Sequence, residues 1–275
     1  MAASTRIGFI VVSGRAVKGA GGMDLDMRAI GAALLLGLAA APAGAVVGGR
    51  EAPEAAGSAV MVLSSNGGVC TGIVVAQDAV LTAGHCVAAS PRQGGAEHRV
   101  HVRDEAGQPV LIELAARAVH PGYDAGAIAG RRRSIDLALV RTVTPLPGRF
   151  RPTPLSAAMP RAGESLVLAG YGVSKPGEPR TTGTFRSAVL PVVEPYGQSR
   201  ILVWMKPSGG ASGACQGDSG GPIADAPGAP PLAVAAWVGG VACGGISQGV
   251  LLGPQRDWID RTLAGWGRSA GWSAP

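Results

Sequence analysis

Three short fragments of this 275-residue chain carry side chains that together can break an acyl bond. Gly217-Asp218-Ser219-Gly220-Gly221-Pro222 sets a serine among glycines. Thr82-Ala83-Gly84-His85-Cys86 supplies a histidine, and Asp136-Leu137-Ala138-Leu139 supplies an aspartate at the head of an apolar run. A serine hydroxyl is a poor nucleophile at neutral pH. It needs a base within hydrogen-bond reach, and the base needs a partner that fixes its tautomer. Ser219, His85 and Asp136 fit those roles: His85 takes the serine proton and returns it to the leaving group, while Asp136 orients the imidazole and stabilises the imidazolium. The glycines have a task too. The backbone must turn tightly and aim the N–H groups of Gly217 and Ser219 at one point, where an oxyanion develops.

The order His, Asp, Ser excludes an α/β-hydrolase, which needs Gly-x-Ser-x-Gly at a strand-to-helix turn and the order Ser, Asp, His. His98, His101 and His120 have no comparable context. The spacing His98-x-x-His101, alternating with Val100 and Val102, reads as the polar face of a strand. Glu97, Asp104, Glu105 and Glu113 read as a solvated loop or strand face and not as a calcium site. The chemistry requires no metal and no cofactor.

The elements that must hold these residues are strands. Downstream of residue 45, apolar segments are short, β-branched and separated by Gly/Pro breaks: 59–63, 72–75, 80–82, 98–102, 110–114, 137–141, 166–169, 188–193 and 232–238. With 44 Gly and 21 Pro, this pattern predicts an all-β sandwich or barrel. Residues 145–154 contain four prolines and no periodicity, and read as the crossover between halves spanning 46–145 and 155–253. Only 254–266 reads as a helix, with Pro254 at its start and Trp258, Ile259, Leu263 and Trp266 at helical spacing.

At 47% hydrophobic and 15% charged, the chain can bury a sizeable core. The net charge of +6 comes mostly from scattered arginines. Without a basic stripe interleaved with aromatics, it gives no reason to expect nucleic-acid binding. Arg131-Arg132-Arg133 reads as an exposed loop ahead of Asp136. The N-terminus reads as a signal peptide: Met27-Arg28, an apolar run over 29–41, and Ala43-Gly44-Ala45 as the cleavage signal. Met23 or Met27 is the expected start, and the expected mature chain, 46–275, is secreted to an extracellular or periplasmic space with no membrane anchor. Four cysteines in an exported chain predict two disulfides, and spacing leaves three pairings open.

The three fragments resemble the chymotrypsin-like (trypsin-like, S1-type) serine endopeptidases, and the resemblance runs from Val46 to about Trp266. It implies two antiparallel six-stranded β-barrels with a C-terminal α-helix. It also implies disulfides Cys70–Cys86 and Cys215–Cys243, each contributing roughly 3–4 kcal/mol by chain entropy. Val46-Val47-Gly48-Gly49 is similar to the mature terminus of active members, whose freed α-amino group pairs with the aspartate before the nucleophile, here Asp218. The export cut after Ala45 would itself create that terminus.

The resemblance places the floor of the primary specificity pocket at Gly213 and its walls at Val238 and Gly249. It makes Ala236-Trp237-Val238-Gly239 the strand that pairs with substrate backbone. An uncharged floor and a valine wall imply small to medium aliphatic P1 residues and no strong preference for Arg or Lys. Ala236 stands where the family usually has serine, Tyr171 where it has tryptophan, and a common third disulfide is missing. These departures suggest a distant bacterial branch. The expected partner is a protein or peptide substrate, cleaved by a monomer. The rival reading is a silent homologue acting as a binding module.

Overall fold

The computed structural model describes residues 46–88, 95–127, 129–130, 132–195, 197–239 and 243–274; the segment read as a signal peptide lies outside them. The first barrel is built from β2 (Ala59–Ser64), β3 (Val69–Ala76), β4 (Ala79–Thr82), β5 (His98–Arg103), β6 (Pro109–Val119) and β7 (Ala138–Thr142). They close in the order β2-β3-β4-β7-β6-β5, all antiparallel. The second contains β8 (Ser165–Gly170), β9 (Arg186–Val193), β10 (Leu202–Met205), β11 (Pro222–Ala224), β12 (Ala233–Gly239) and β13 (Ile246–Leu251). Their order is β8-β9-β10-β13-β12-β11, returning to β8. A two-residue β1 (Arg50–Glu51) pairs with the start of β9, whose end pairs with β10.

Alternation explains the two interiors. Val60, Val62, Val74, Val80, Val100, Val102 and Val140 fill the first barrel; Leu166, Leu168, Leu190, Met205, Ile223 and Leu251 fill the second. The central strands are apolar at consecutive positions because their outer faces are covered as well. Ile73, Leu81, Leu139 and Val234 point out of the barrels into a third cluster with Leu155, Ile259 and Leu263. Each such buried side chain contributes roughly 1.5–3 kcal/mol.

The helix α1 (Arg256–Gly265) follows a 3-10 turn at Gly253–Gln255 and buries Ile259 and Leu263, one turn apart, in that cluster. The crossover between barrels is tied to the C-terminal tail: Leu155 N–H donates to Gly271 and Ser273 N–H donates to Leu155, at 2.8 Å each. Both disulfides join the pairs that the resemblance implied, Cys70 to Cys86 and Cys215 to Cys243.

One strand-face expectation is corrected. His98 does not lie on a polar face. It shares parity with Val100 and Val102 and is buried with them, while Arg99, His101 and Arg103 take the other side of β5. The alternation was real, but its phase put this histidine inward, where burial first and Arg117 second lower its pKa.

Candidate active site

Strand pairing brings His85 and Asp136 together. β4 ends at Thr82, opposite Ala138 at the start of β7. Asp136 sits two residues ahead of β7, and His85 lies in the 3-10 turn Gly84–Cys86 just beyond β4. Both carboxylate oxygens are engaged by the same residue. His85 backbone N–H donates to Asp136 Oδ1 at 2.8 Å, and His85 Nδ1 lies 2.7 Å from Oδ2. The second contact puts the proton on Nδ1 and leaves Nε2 free to act as a base. A Cβ on Gly84 would come within 3.0 Å of Asp136 Oδ1, so glycine leaves room for the carboxylate.

Ser219 follows Gly217, which has φ 98°, a backbone geometry that L side chains rarely adopt. Asp218 beneath it is fully buried. Its Oδ1 accepts from Gly172 N–H at 2.8 Å and its Oδ2 from Cys215 N–H at 2.9 Å. Burial pushes its pKa up to about 7, although these two donors pull the other way. Side chains at Gly170 or Gly172 would occupy the space of this carboxylate. That explains the glycines of Ala169-Gly170-Tyr171-Gly172.

Ser219, His85 and Asp136 line one open cleft of about 590 Å³, together with Tyr123, Leu202, Gln216, Trp237, Val238 and Gln248. Ser219 Oγ makes no hydrogen bond to His85 Nε2, which instead lies 3.7 Å from Cys86 Sγ. Among the described residues, neither Gly217 N–H nor Ser219 N–H donates to a protein acceptor. Burial, with Asp136 and Asp124 behind it, raises the Tyr123 hydroxyl to about 12. Arg132 reaches back along the loop to Asp124 at 2.7 Å.

The expected specificity residues separate. Ala236 is the extra residue of a bulge between Ala235 and Trp237; it is buried, while Trp237 is exposed on the cleft. Val238 pairs with Ser247, and Gly239 with Ile246. Gly213 lies below, and any Cβ there would stand 2.8 Å from Ser247 Oγ, which accepts Ala214 N–H at 3.0 Å. Gly249 is not a pocket wall. It pairs with Ala235, and a side chain there would run into Ile223 in the barrel interior. The segment 247–249 reads as a loop but is strand, and the residue opposite Val238 is Ser247. The sequence reading passed over Ser247 and also Thr71, whose buried hydroxyl donates to Gly217 carbonyl at 2.8 Å. A hydroxyl inside an otherwise apolar strand was the available signal for Thr71.

A family model described as Trypsin matches residues 46–259. The chain belongs to the trypsin family. Kallikrein-15 of Saguinus oedipus and of Homo sapiens are each 28% identical over 203 residues, covering 66% of this chain and 69% of the relative. Serine protease 56 of Homo sapiens is 31% identical over 197 residues, covering 66% of this chain and 31% of that protein. Among solved structures, the fold is similar to neuropsin, a serine protease of mouse brain, with TM-score 0.64 and 22% identity over 79% of this chain and all of that one. It is equally similar to human heparin binding protein, with TM-score 0.64 and 22% identity over 84% of this chain and all of that one. These relatives are mammalian, so the expectation of a bacterial branch finds no support in them. Among the described residues of this trypsin-family chain, no helix is long and apolar enough to cross a membrane.

Proposed function

We propose that this trypsin-family chain is an exported serine endopeptidase working through an acyl-enzyme. The observation that carries the reading is the two-point contact of His85 with Asp136, in the cleft that Ser219 also lines. Ser219 Oγ attacks the scissile carbonyl carbon as its proton passes to His85 Nε2. The carbonyl oxygen takes the negative charge and is met by Gly217 N–H and Ser219 N–H. Collapse expels the amine, protonated by His85. Water, deprotonated by the same nitrogen, then releases the acid and regenerates Ser219.

Substrate backbone pairs along Trp237–Gly239, with P1 directed at Val238. Val238 packs on the cluster that contains Ala214, and Gly213 is not among the residues lining the cleft. A shallow, uncharged pocket takes Ala, Val or a similar small aliphatic side chain.

Activation follows export. Val46 is fully buried in the second-barrel core, and Val47 accepts Gly213 N–H at 2.9 Å, on the segment that leads to Asp218. Val46 has φ 51°, a strained geometry for a β-branched residue that costs about 1–3 kcal/mol inside a chain. Cutting before Val46 removes the carbonyl that causes the strain and frees an α-amino group to pair with the buried Asp218 carboxylate. Signal cleavage alone would then yield the active form.

The rival is a silent homologue serving as a binding module. It rests on the one missing contact, between Ser219 Oγ and His85. Intact mass of the secreted protein, measured before and after a fluorophosphonate probe, separates the two. One adduct on a chain starting at Val46 supports the peptidase and its activation by export. No adduct on that same chain supports the module. No adduct on a longer chain indicates a precursor awaiting a second cut.

A further inference from the structure

We propose that Thr71, in the first barrel, is a positioning residue for the oxyanion hole of the second, a role that rests on the peptidase reading above. The loop that carries Ser219 has its carbonyls held one by one. Gln216 carbonyl accepts from Val173 N–H at 2.8 Å, Asp218 carbonyl from Gly221 N–H at 2.9 Å, and Ser219 carbonyl from Thr71 N–H at 2.8 Å. Gly217 carbonyl accepts from Thr71 Oγ1 at 2.8 Å. Of these four donors, only the last belongs to a side chain, so it is the one that a substitution can remove.

The direction of this bond is fixed. Thr71 Oγ1 accepts Tyr171 N–H at 2.9 Å, which commits the hydroxyl proton to Gly217 carbonyl. Thr71 is fully buried, so water cannot replace it. Its own carbonyl is held by Thr82 Oγ1 at 2.7 Å, and its strand pairs with β2 at Met61. The anchor is therefore rigid.

The peptide it anchors needs anchoring. Gly217, with φ 98°, leaves the plane between Gly217 and Asp218 free of side-chain restraint on one side. That plane is tied at one end by Asp218 N–H to Cys215 carbonyl at 3.1 Å and at the other by Thr71. That plane joins the Gln216–Gly217 peptide, which carries Gly217 N–H, to the Asp218–Ser219 peptide, which carries Ser219 N–H; losing the Thr71 end lets it rotate about the glycine hinge and changes the angle between those two donors. Among the described residues, neither of those two N–H groups donates to a protein acceptor.

The test compares Thr71→Val, which keeps the shape and removes the hydroxyl, with Thr71→Ser, which keeps the hydroxyl. Rates are normalised to active sites titrated with the phosphonate. A direct oxyanion donor is worth about 10²–10³ in kcat, so an indirect one should cost Thr71→Val on the order of 10-fold. KM should stay nearly constant. Affinity for a peptide aldehyde, whose adduct places an oxyanion in the hole, should fall by the same factor as kcat. Affinity for the matching peptide product acid, which forms no adduct, should not fall. Thr71→Ser should restore most of the loss.

A purely structural Thr71 would lower the melting temperature and leave kcat per active site unchanged; that result, or a Thr71→Ser protein no better than Thr71→Val, overturns the proposal. If Thr71→Val does not fold, Thr71→Cys, a weak donor of nearly the same shape as serine, takes its place, and kcat equal to that of Thr71→Ser overturns it. Wild-type protein that neither reacts with the phosphonate nor cleaves peptides defeats the peptidase reading and this one together. An active wild type with an indifferent Thr71 defeats this one alone.

Discussion

Val238 and Ser247 are register partners across β12 and β13, and Ser247 Oγ occupies the space above Gly213 into which a side chain there would grow. The floor of the pocket is thus closed from two sides, by a valine from one strand and a serine from the next. On the proposed peptidase reading, P1 selectivity would reside in that pair more than in the uncharged floor.

Val238→Gly should therefore deepen the pocket and shift preference toward larger P1 residues. Removing a branched side chain from an apolar pocket changes discrimination by roughly 10- to 200-fold. The check is the ratio of kcat/KM for matched peptide substrates with Phe and Ala at P1. A ratio that does not rise places P1 elsewhere than at Val238.

Gly213→Asp should not make a tryptic enzyme. The new Cβ would meet Ser247 Oγ, and Gly213 has φ 145°, which no other residue adopts without strain. The expected outcome is a loss of stability of about 1–3 kcal/mol with little cleavage after Arg or Lys. Thermal unfolding and Arg-P1 hydrolysis measure the two parts. A stable variant with strong Arg preference would show that the Gly213 floor is open.

Asp136→Asn should leave the fold intact and lower kcat by about 10⁴, because an amide in place of Oδ2 no longer favours the His85 tautomer with Nε2 free. Ser219→Ala should abolish the phosphonate adduct at unchanged melting temperature. If Asp136→Asn retains most of its activity, His85 is not oriented by that contact.

The candidate site was legible where residue identity and order carry it. Ser219, His85 and Asp136 could be read from local fragments because each role demands one residue type. The two barrels were legible because β-branched runs separated by Gly and Pro leave few alternatives. What the sequence hid depends on phase and register. His98 faced inward because its strand's parity is set by Val100 and Val102, and the sequence pattern fits either face. Gly249 was misplaced because 247–249 looks like a loop; β10 and β11 are so short that no periodicity marks them. Thr71 shows in the sequence only as a hydroxyl in an apolar strand, and the partner that gives it its proposed role, Gly217, lies 146 residues away.

If the freed terminus of Val46 pairs with Asp218 as proposed, the pH dependence of stability changes at the cut. With residues still attached ahead of Val46, burial pushes the Asp218 carboxyl up to about 7 in the folded chain, against about 4 when unfolded. Between those values the folded state holds a proton that the unfolded state has lost, so stability is greatest below about pH 4 and falls as pH rises to 7. The loss is on the order of 4 kcal/mol, since each tenfold change in proton affinity is worth about 1.4 kcal/mol. In a chain starting at Val46, a protonated α-amino group holds the carboxylate ionised and cancels that fall until the amine itself deprotonates above about pH 8. Melting temperatures of the two chains, one beginning at Val46 and one retaining Gly44-Ala45, should therefore diverge between pH 5 and 7 and converge again at alkaline pH. Curves that stay parallel across that range would mean that the freed terminus does not reach Asp218. Activation by the export cut would then have lost its physical basis.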